Sequence, residues 1–324
     1  MPDKPKIGFY WCASCGGCEE SVVDLAEDIV MVADAVDIVF WPVAMDFKRS
    51  DVEAMEDGSI LATMINGAIR TSEQEEMARL IRRKSKVVIA YGSCAHMGGI
   101  PSLANEFTRK QIMEFMYQES PSVVNPDKTR PMLSVKHNSM NVTLPEIRNL
   151  VRTLDQVIDV DYYLPGCPPT PKLLKEAVLV LLSGKLPPKG TVLAPDEALC
   201  EQCIHKETKP ADISFKHFYR PHMVIIDNSK CLLSQGVICM GPATRAGCEA
   251  LCIQGNMPCS GCFGPTSRVK DQGAKMLSSL CSNISAKDVE GIDAVLDEIP
   301  DPVGTFYRYG LASSLLRKKI PEDV

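Results

Sequence analysis

Fourteen cysteines are the residues of this 324-residue chain with the most evident chemistry. Many are closely spaced, as in the C-x2-C pairs at Cys200 and Cys203 and at Cys259 and Cys262. The N-terminus has no apolar leader, so we expect the chain to stay in the cytoplasm, where disulfide frameworks are rare. Clustered cysteines in that compartment indicate metal ligands, whereas buried free thiols would account for only a scattered few.

In the first half of the chain, three segments that contain cysteine each follow a predicted strand. They contain Cys12, Cys15 and Cys18, then Cys94, and then Cys167. Because the carboxyl ends of parallel strands meet at one edge of a sheet, we expect these thiols to converge. They supply the four thiolates that one cubane iron–sulfur cluster needs. Spacing alone leaves open whether Cys12 is a ligand, a spare thiol or part of the core.

The glycines beside these cysteines allow a second interpretation, because glycine-rich loops after strands also bind phosphate. The chain has neither a GxGxxG motif nor a P-loop lysine, which disfavours a nucleotide. Glycines such as Gly92 and Gly166 would let the backbone approach a bulky cluster. Pro168 directly follows Cys167, a pairing that also occurs at bacterial cluster sites.

The second half of the chain contains enough cysteines for two more four-thiol sites. These are Cys200, Cys203, Cys231, Cys239, Cys248, Cys252, Cys259 and Cys262. Close pairs separated by a longer gap are equally typical of structural zinc, which remains an alternative. Two iron–sulfur clusters are favoured because a redox cluster in the first half needs further redox sites that accept its electrons, which zinc cannot do. His205 is interpreted as a bystander, and Cys12 and Cys281 are left over.

The elements that must position these cysteines form an alternating pattern over the first 185 residues. Strands are predicted at 6–11, 36–43, 60–69, 86–90 and 160–164. Helices are predicted at 19–32, 72–86, 144–155 and 171–182. Strands that alternate with helices predict an α/β fold with a doubly wound parallel sheet.

Regular patterning weakens near residue 187, in the LPPKG segment, where the cysteines become dense. We therefore predict a sheet domain at 1–186, a cysteine-rich domain of little regular structure at 187–298, and a docking segment at 299–324. Metal binding would supply the folding free energy that a small core lacks. The pattern at 305–320 predicts an amphipathic helix.

The composition excludes several kinds of partner. The formal net charge is −6, which argues against nucleic acid, since that affinity depends on Lys and Arg meeting phosphates. No apolar run approaches the roughly 18 residues of a membrane-spanning helix. We expect neither a nucleic-acid partner nor a membrane span.

The order and context of three motifs resemble the small subunit of [NiFe] hydrogenases over almost the whole chain. The motifs are Cys15-Gly16-Gly17-Cys18-Glu19-Glu20, Gly92-Ser93-Cys94 and Pro165-Gly166-Cys167-Pro168-Pro169. The resemblance is greatest to the methyl-viologen-reducing type of methanogens and related anaerobes, which does not reduce coenzyme F-420. It implies a flavodoxin-like first domain.

The resemblance also implies three [4Fe-4S] clusters. The proximal cluster, close to the nickel–iron centre of a large subunit, would be bound by Cys15, Cys18, Cys94 and Cys167. The medial cluster would be bound by Cys248, Cys252, Cys259 and Cys262. The distal cluster would be bound by Cys200, Cys203, Cys231 and Cys239. Many relatives have histidine at the position of Cys200 and proline at that of Cys252, so the extra thiolates favour lower potentials.

The function that the resemblance implies is electron relay with no catalytic residue in this chain. Electrons from H2 oxidation in the large subunit would pass through the clusters to a small iron–sulfur protein and a heterodisulfide reductase-like complex. Glu19 and Glu20 either assist proton movement or are acids favoured at a helix start. The alternatives are a quinone-reductase subunit with one cluster and a zinc-stabilised interaction module.

Overall fold

A computed structural model describes residues 4–316 of the chain. The strands are β1 (Lys6–Trp11), β2 (Asp37–Phe40), β3 (Ile60–Asn66), β4 (Ile69–Thr71), β5 (Ser85–Tyr91), β6 (Ser134–His137), β7 (Met140–Thr143), β8 (Ile147–Arg152) and β9 (Tyr162–Leu164). Five of them form one sheet in the order β2-β1-β3-β5-β9, and all four pairings are parallel. Counted within the sheet this is 2-1-3-4-5, the flavodoxin-like order, so the predicted fold class is confirmed.

Helices cover both faces of the sheet. The α-helices in residues 4–316 are α1 (Gly17–Val23), α2 (Asp28–Ala35), α3 (Arg49–Ala54), α4 (Ser72–Lys84), α5 (Gly92–Met97), α6 (Arg109–Glu114), α7 (Pro171–Ser183), α8 (Leu251–Gln254), α9 (Gln272–Cys281), α10 (Val289–Leu296) and α11 (Pro302–Phe306), of which the last four belong to the second half of the chain. In β5, Val87 and Ile89 pack into the core beneath α1, α2 and α7, whereas Val88 packs into the core beneath α3 and α4. Burial on both faces explains why residues 87–91 of β5 form an unbroken apolar run.

Four of the five strands of the sheet, β1, β3, β5 and β9, end at the same level. Trp11 lies opposite Asn66, Asn66 opposite Tyr91, and Tyr91 opposite Leu164. The chain enters a cysteine-containing segment within three residues of Trp11, Tyr91 and Leu164. The predicted convergence of these segments at the carboxyl edge of the sheet is therefore confirmed.

Two local predictions in this half were wrong. The predicted helix at 19–32 is interrupted between α1 and α2, where Ala26 has a positive φ of 52°. The predicted helix at 144–155 is instead strand β8, paired antiparallel with β4. The side chain of Asn105 also forms two hydrogen bonds with the backbone of Val151 in β8: its Nδ2 donates to Val151 O at 3.0 Å, and its Oδ1 accepts from Val151 N–H at 2.8 Å. These long-range bonds outweigh the local helical spacing of the apolar residues.

Beyond residue 187 the chain forms short helices around a second core. That core includes Leu199, Phe218 and Phe306. Phe263 instead lies in the core of the sheet, and Val192 still pairs with Tyr163 of β9. The two halves therefore pack directly on each other.

The prediction of a helix at 305–320 was also wrong for residues 305–316, the part of it that the structure describes. Helix α11 ends at Phe306, turns follow to residue 316, and residues 317–320 lie outside the described part. The backbone O of Tyr309 accepts a bond of 2.9 Å from Gly99 N–H, and Tyr307 packs against Gly273. These contacts with distant segments replace the helical pattern.

Helices 13 residues long are the longest in the described part, and none of the helices in residues 4–316 could span a bilayer.

Candidate functional site

Four thiols meet at the carboxyl edge of the sheet. Cys15 is exposed before α1 and accepts a bond of 3.5 Å from Gly17 N–H, and Cys18 is buried in the first turn of α1. Cys94 is buried on α5, and Cys167 follows β9. We call Cys15, Cys18, Cys94 and Cys167 the edge set.

The thiols of the edge set are electrostatically coupled. Burial, followed by repulsion from Cys167 and Cys15, raises the pKa of Cys94 to about 12. Burial and the same kind of repulsion, from all three other members, raise the pKa of Cys18 far above its usual range. Neighbouring thiols of the set thus help to raise the pKa of Cys18, Cys94 and Cys167, as expected for sulfur atoms grouped around one space.

Two glycines let the backbone approach these sulfur atoms closely. A Cβ at Gly92 would lie 2.3 Å from the Sγ of Cys18, and a Cβ at Gly99 would lie 2.3 Å from the Sγ of Cys94. Gly92 also has a φ of +82°, which residues with a Cβ rarely adopt. Only glycine fits at these two positions without displacing a thiol.

Cys12 does not join the edge set. It lies in the core on the other face of the sheet from Cys18, with Ile65 and Ile69. Burial alone raises the pKa of Cys12, without a contribution from another thiol. Of the three interpretations left open by spacing, packing in the core is the one that these contacts support.

A second set of four thiols lines one cavity. Its members, here called the cavity set, are Cys200, Cys203, Cys231 and Cys239. Burial raises the pKa of Cys200 to about 11, although the nearby Lys209 charge opposes the shift. His205 also lines the cavity, and its backbone N–H donates a bond of 3.4 Å to the Sγ of Cys203. No bond to a thiol from the imidazole ring of His205 is seen in residues 4–316.

Thr208 connects two loops of the cavity set. Its hydroxyl donates to the backbone O of His205 at 2.9 Å and accepts from the backbone N–H of Cys231 at 2.9 Å. One side chain thus connects the loop that carries Cys203 to the loop that carries Cys231. Sequence reasoning missed Thr208, because nothing in a lone threonine indicates a bridge between loops.

The third set lies between the other two and is called the middle set. Its members are Cys248, Cys252, Cys259 and Cys262. Burial, followed by repulsion from Cys248 and other thiols, raises the pKa of Cys262 to about 12. Burial also raises the pKa of Cys259 strongly, whereas Cys252 is exposed.

Backbone amides connect the middle set to both neighbouring sets. The N–H of Cys259 donates a bond of 3.4 Å to the Sγ of Cys239 in the cavity set. The backbone of Cys167 in the edge set hydrogen bonds to the thiol of Cys262, which opposes the rise in its pKa. The three sets are therefore in series, with the middle set in contact with both ends.

Ser93 strengthens the connection between the edge and middle sets. Its backbone N–H donates to the O of Gly166 at 2.7 Å, and its hydroxyl donates to the backbone O of Cys262. Ser93 also precedes Cys94, so it touches three of the segments that carry thiols. The Gly-Ser-Cys motif was the only sequence signal for this position.

Glu19 is buried beside the edge set. Trp41 Nε1 donates to one of its carboxylate oxygens, and Asn66 Nδ2 donates to the other at 2.6 Å. Burial raises the pKa of Glu19 despite these two bonds. Glu20, in contrast, is exposed. The sequence singled out both acids but not the partners of Glu19.

The donors fit iron–sulfur clusters. All fourteen cysteines lie within residues 4–316 and are free thiols there. Burial raises the pKa of thiols in all three sets, such as Cys18, Cys239 and Cys259, so their thiolates would need a cationic centre, and metal coordination deprotonates thiols. Within the same residues, no three Cys, His, Asp or Glu side chains lie close enough to bind a single metal ion.

A flavodoxin-like sheet with cysteines at its carboxyl edge defines the class of the protein. Residues 15–181 match the family described as NADH ubiquinone oxidoreductase, 20 Kd subunit. A chain of the [NiFeSe] hydrogenase of Desulfovibrio vulgaris Hildenborough shares the fold, with a TM-score of 0.53 at 16% identity, covering 82% of this chain and 95% of that one.

Curated relatives extend the match over the whole chain. The iron–sulfur subunit of the F420-non-reducing hydrogenase of Archaeoglobus profundus is 37% identical over 97% of this chain and 98% of its own length. A subunit of the F420-non-reducing hydrogenase of Methanothermobacter thermautotrophicus is 36% identical over 100% of this chain and 99% of its own length. This chain belongs to the family that these F420-non-reducing hydrogenase subunits form and is a hydrogenase subunit, as the motifs predicted.

Proposed function

We propose that this chain relays electrons from H2 oxidation through three [4Fe-4S] clusters. The observation that carries the proposal is the arrangement of twelve thiols in three sets, with backbone hydrogen bonds from Cys167 to the thiol of Cys262 and from Cys259 to the Sγ of Cys239. A serial arrangement suits conduction in either direction between the two ends. Structural metal sites would have no need of such a series.

Each set would bind one cluster. The edge set would bind the proximal cluster, the middle set the medial cluster and the cavity set the distal cluster, each through its four thiolates. When bound, the clusters supply one-electron redox chemistry at low potential. The protein's part is to exclude water and to direct N–H groups at the sulfur atoms, which tunes the potentials.

The partner at the edge set would be the hydrogenase large subunit that contains the nickel–iron centre. Cys15 is exposed at that edge beside Trp11, which is also partly exposed. A ligand that stays exposed on an otherwise buried site suits a surface covered by another protein. The site that activates H2 would lie in that partner, so this chain has no catalytic residue of its own.

At the other end, the cavity set would deliver electrons to an acceptor. We propose a small iron–sulfur protein that works with a heterodisulfide reductase-like complex in the cytoplasm. Lys209 lines the cavity and is exposed. Positive charge beside Cys200 would stabilise the reduced cluster and favour an acidic partner.

The division into domains at 1–186, 187–298 and 299–324 also remains our proposal. A quinone-reductase subunit is disfavoured, because that family matches only residues 15–181 whereas the hydrogenase relatives match both halves. No contact within residues 4–316 favours a zinc-stabilised module. The cysteines of the second half are in series with those of the first, which suits electron transfer.

The test is the iron content of the protein purified without oxygen. We expect about twelve irons per chain and about eight in a Cys203→Ala variant, because one cubane would be lost. Cys281→Ala is the matched control, since Cys281 is exposed and belongs to none of the three sets. Folded protein that contains zinc and no iron would overturn the proposal.

A further inference from the structure

Residues 107–146 form an arm between the strand that precedes Cys94 and the strand that precedes Cys167. Its base is fixed: Arg109 pairs with the carboxylate of Glu146 at 3.0 Å. Two hydrogen bonds join Ser72 and Glu146: Ser72 N–H donates to Glu146 O at 2.9 Å, and Glu146 N–H donates to Ser72 Oγ at 3.0 Å. The arm therefore leaves the sheet domain from a defined position.

The end of the arm is a two-stranded ribbon with two unlike faces. Strands β6 and β7 pair Val135 with Val142, and Leu144 N–H donates to Leu133 O at 3.0 Å. Because side chains alternate along a strand, one face is mainly apolar. This face, here called the ribbon face, consists of Leu133, Val135, His137, Met140, Val142 and Leu144. The other face is polar and consists of Ser134, Lys136, Asn141 and Thr143.

Nothing in the described part of the chain covers the ribbon face. Residues 131–145 are all exposed, and Leu133, Val142 and Met140 expose 57%, 50% and 62% of their surfaces. Among residues 4–316, β6 and β7 pair only with each other. An isolated two-stranded ribbon is marginally stable in water, and clustered exposed apolar side chains indicate a contact surface.

The base of the arm is continuous with the edge that carries Cys15. Ala13, between Cys12 and Cys15, forms a bridge with Ala68, which leads directly into β4. Strand β4 pairs with β8, the strand that follows the arm. A protein that covers the exposed Cys15 thus lies against the element from which the arm extends.

We infer that the ribbon face docks on the hydrogenase large subunit and extends its contact beyond the edge of the sheet. The inference rests on the proposed function, because it takes the large subunit to cover the edge set. An alternating apolar and polar ribbon suits a protein surface, where one face is buried and the other stays in water. Loss of the arm would lower the affinity of this chain for the large subunit, although all the thiols would remain.

The first test compares two neighbouring residues on opposite faces. Val142→Asp places a charge on the ribbon face, and Thr143→Asp places the same charge on the polar face of the same strand. In the complex purified without oxygen, we expect Val142→Asp to reduce large-subunit retention at least about ten-fold and Thr143→Asp less than about two-fold. Equal retention in both variants would overturn the inference.

The second test identifies the occupant without depending on a charged variant. A photo-crosslinking amino acid at position 142 or 143 is activated in the intact complex. We expect position 142 to crosslink to the large subunit in high yield and position 143 to do so poorly. Crosslinks from position 142 to a second copy of this chain or to the acceptor protein, or no crosslink at all, would contradict the inference.

Iron content separates failure of this inference from failure of the proposed function. Both aspartate variants should keep about twelve irons per chain, because the ribbon contacts no cysteine. If Val142→Asp kept about twelve irons and also retained the large subunit as well as the unmodified protein does, only the docking inference would be rejected. Absence of iron in the unmodified protein would reject the electron relay, whatever the crosslinks show.

Discussion

The backbone N–H of Cys259 donates a hydrogen bond of 3.4 Å to the Sγ of Cys239, although the two cysteines belong to different sets. The bond shows that the middle and cavity sets are in direct contact, with no side chain interposed. An N–H group that points at a ligand sulfur stabilises added negative charge there and raises the potential of a bound cluster. The same amide thus connects the two sets and would tune a cluster bound by the cavity set.

Cys12 and Cys18 should respond differently to the same substitution. Cys12→Ala should keep about twelve irons and cost about 1–2 kcal/mol of stability, because a buried sulfur leaves a small cavity. Cys18→Ala should lose about four irons. Iron analysis and denaturant unfolding measure the two outcomes, and iron loss in the Cys12 variant would make Cys12 a ligand.

Gly92→Ala should abolish the edge-set cluster, because the new Cβ would lie 2.3 Å from the Sγ of Cys18. Gly184→Ala is the matched control: Gly184 has a φ of +67° and no atom within 4 Å of a built Cβ. We expect the control to cost about 1–2 kcal/mol of backbone strain and no iron. If both variants lost iron equally, strain rather than the contact with Cys18 would be the cause.

Thr208→Val should loosen the cavity set, because the N–H of Cys231 then loses its acceptor. A net cost of about 1 kcal/mol corresponds to roughly five-fold faster chelator-driven release of one cluster. Thr208→Ser should restore the slow release. Thr191→Val removes a hydroxyl that donates a hydrogen bond to the backbone O of Pro188 and belongs to none of the loops of the cavity set, so it should leave release of that cluster unchanged.

Glu19 should make stability fall as the pH rises. Burial raises its pKa in the folded protein, so the folded state binds more protons than the unfolded state above the ordinary carboxyl pKa. Glu19→Gln should remove this slope, because an amide does not titrate in this range.

The control for Glu19 is its neighbour. Glu20→Gln changes the same charge at an exposed position of α1, so the pH slope should persist. Thermal unfolding of the protein between about pH 5 and pH 8 measures both variants, because this range lies above the ordinary carboxyl pKa of about 4.3. A slope that is unchanged in Glu19→Gln would show that another group is responsible.

Much of the fold could be predicted because strong local patterns agreed with the tertiary structure. The apolar run in β5 and the capped amphipathic helix α4 were placed within two residues. The order of strands and cysteines then placed the edge set, since parallel strands end together. The predictions failed at 144–155 and 305–320, where pairing with β4 and contacts with Gly99 and Gly273 override helical spacing.

The sequence by itself determined the thiol content, the alternating α/β order and the motifs of the hydrogenase family, because these depend on residue type and spacing. Only the tertiary structure decided that Cys12 faces away from Cys18 and that Thr208 connects two loops. It alone showed that the ribbon face lacks a partner within residues 4–316. Such relationships join residues far apart in the chain, and a linear pattern does not encode which distant groups come into contact.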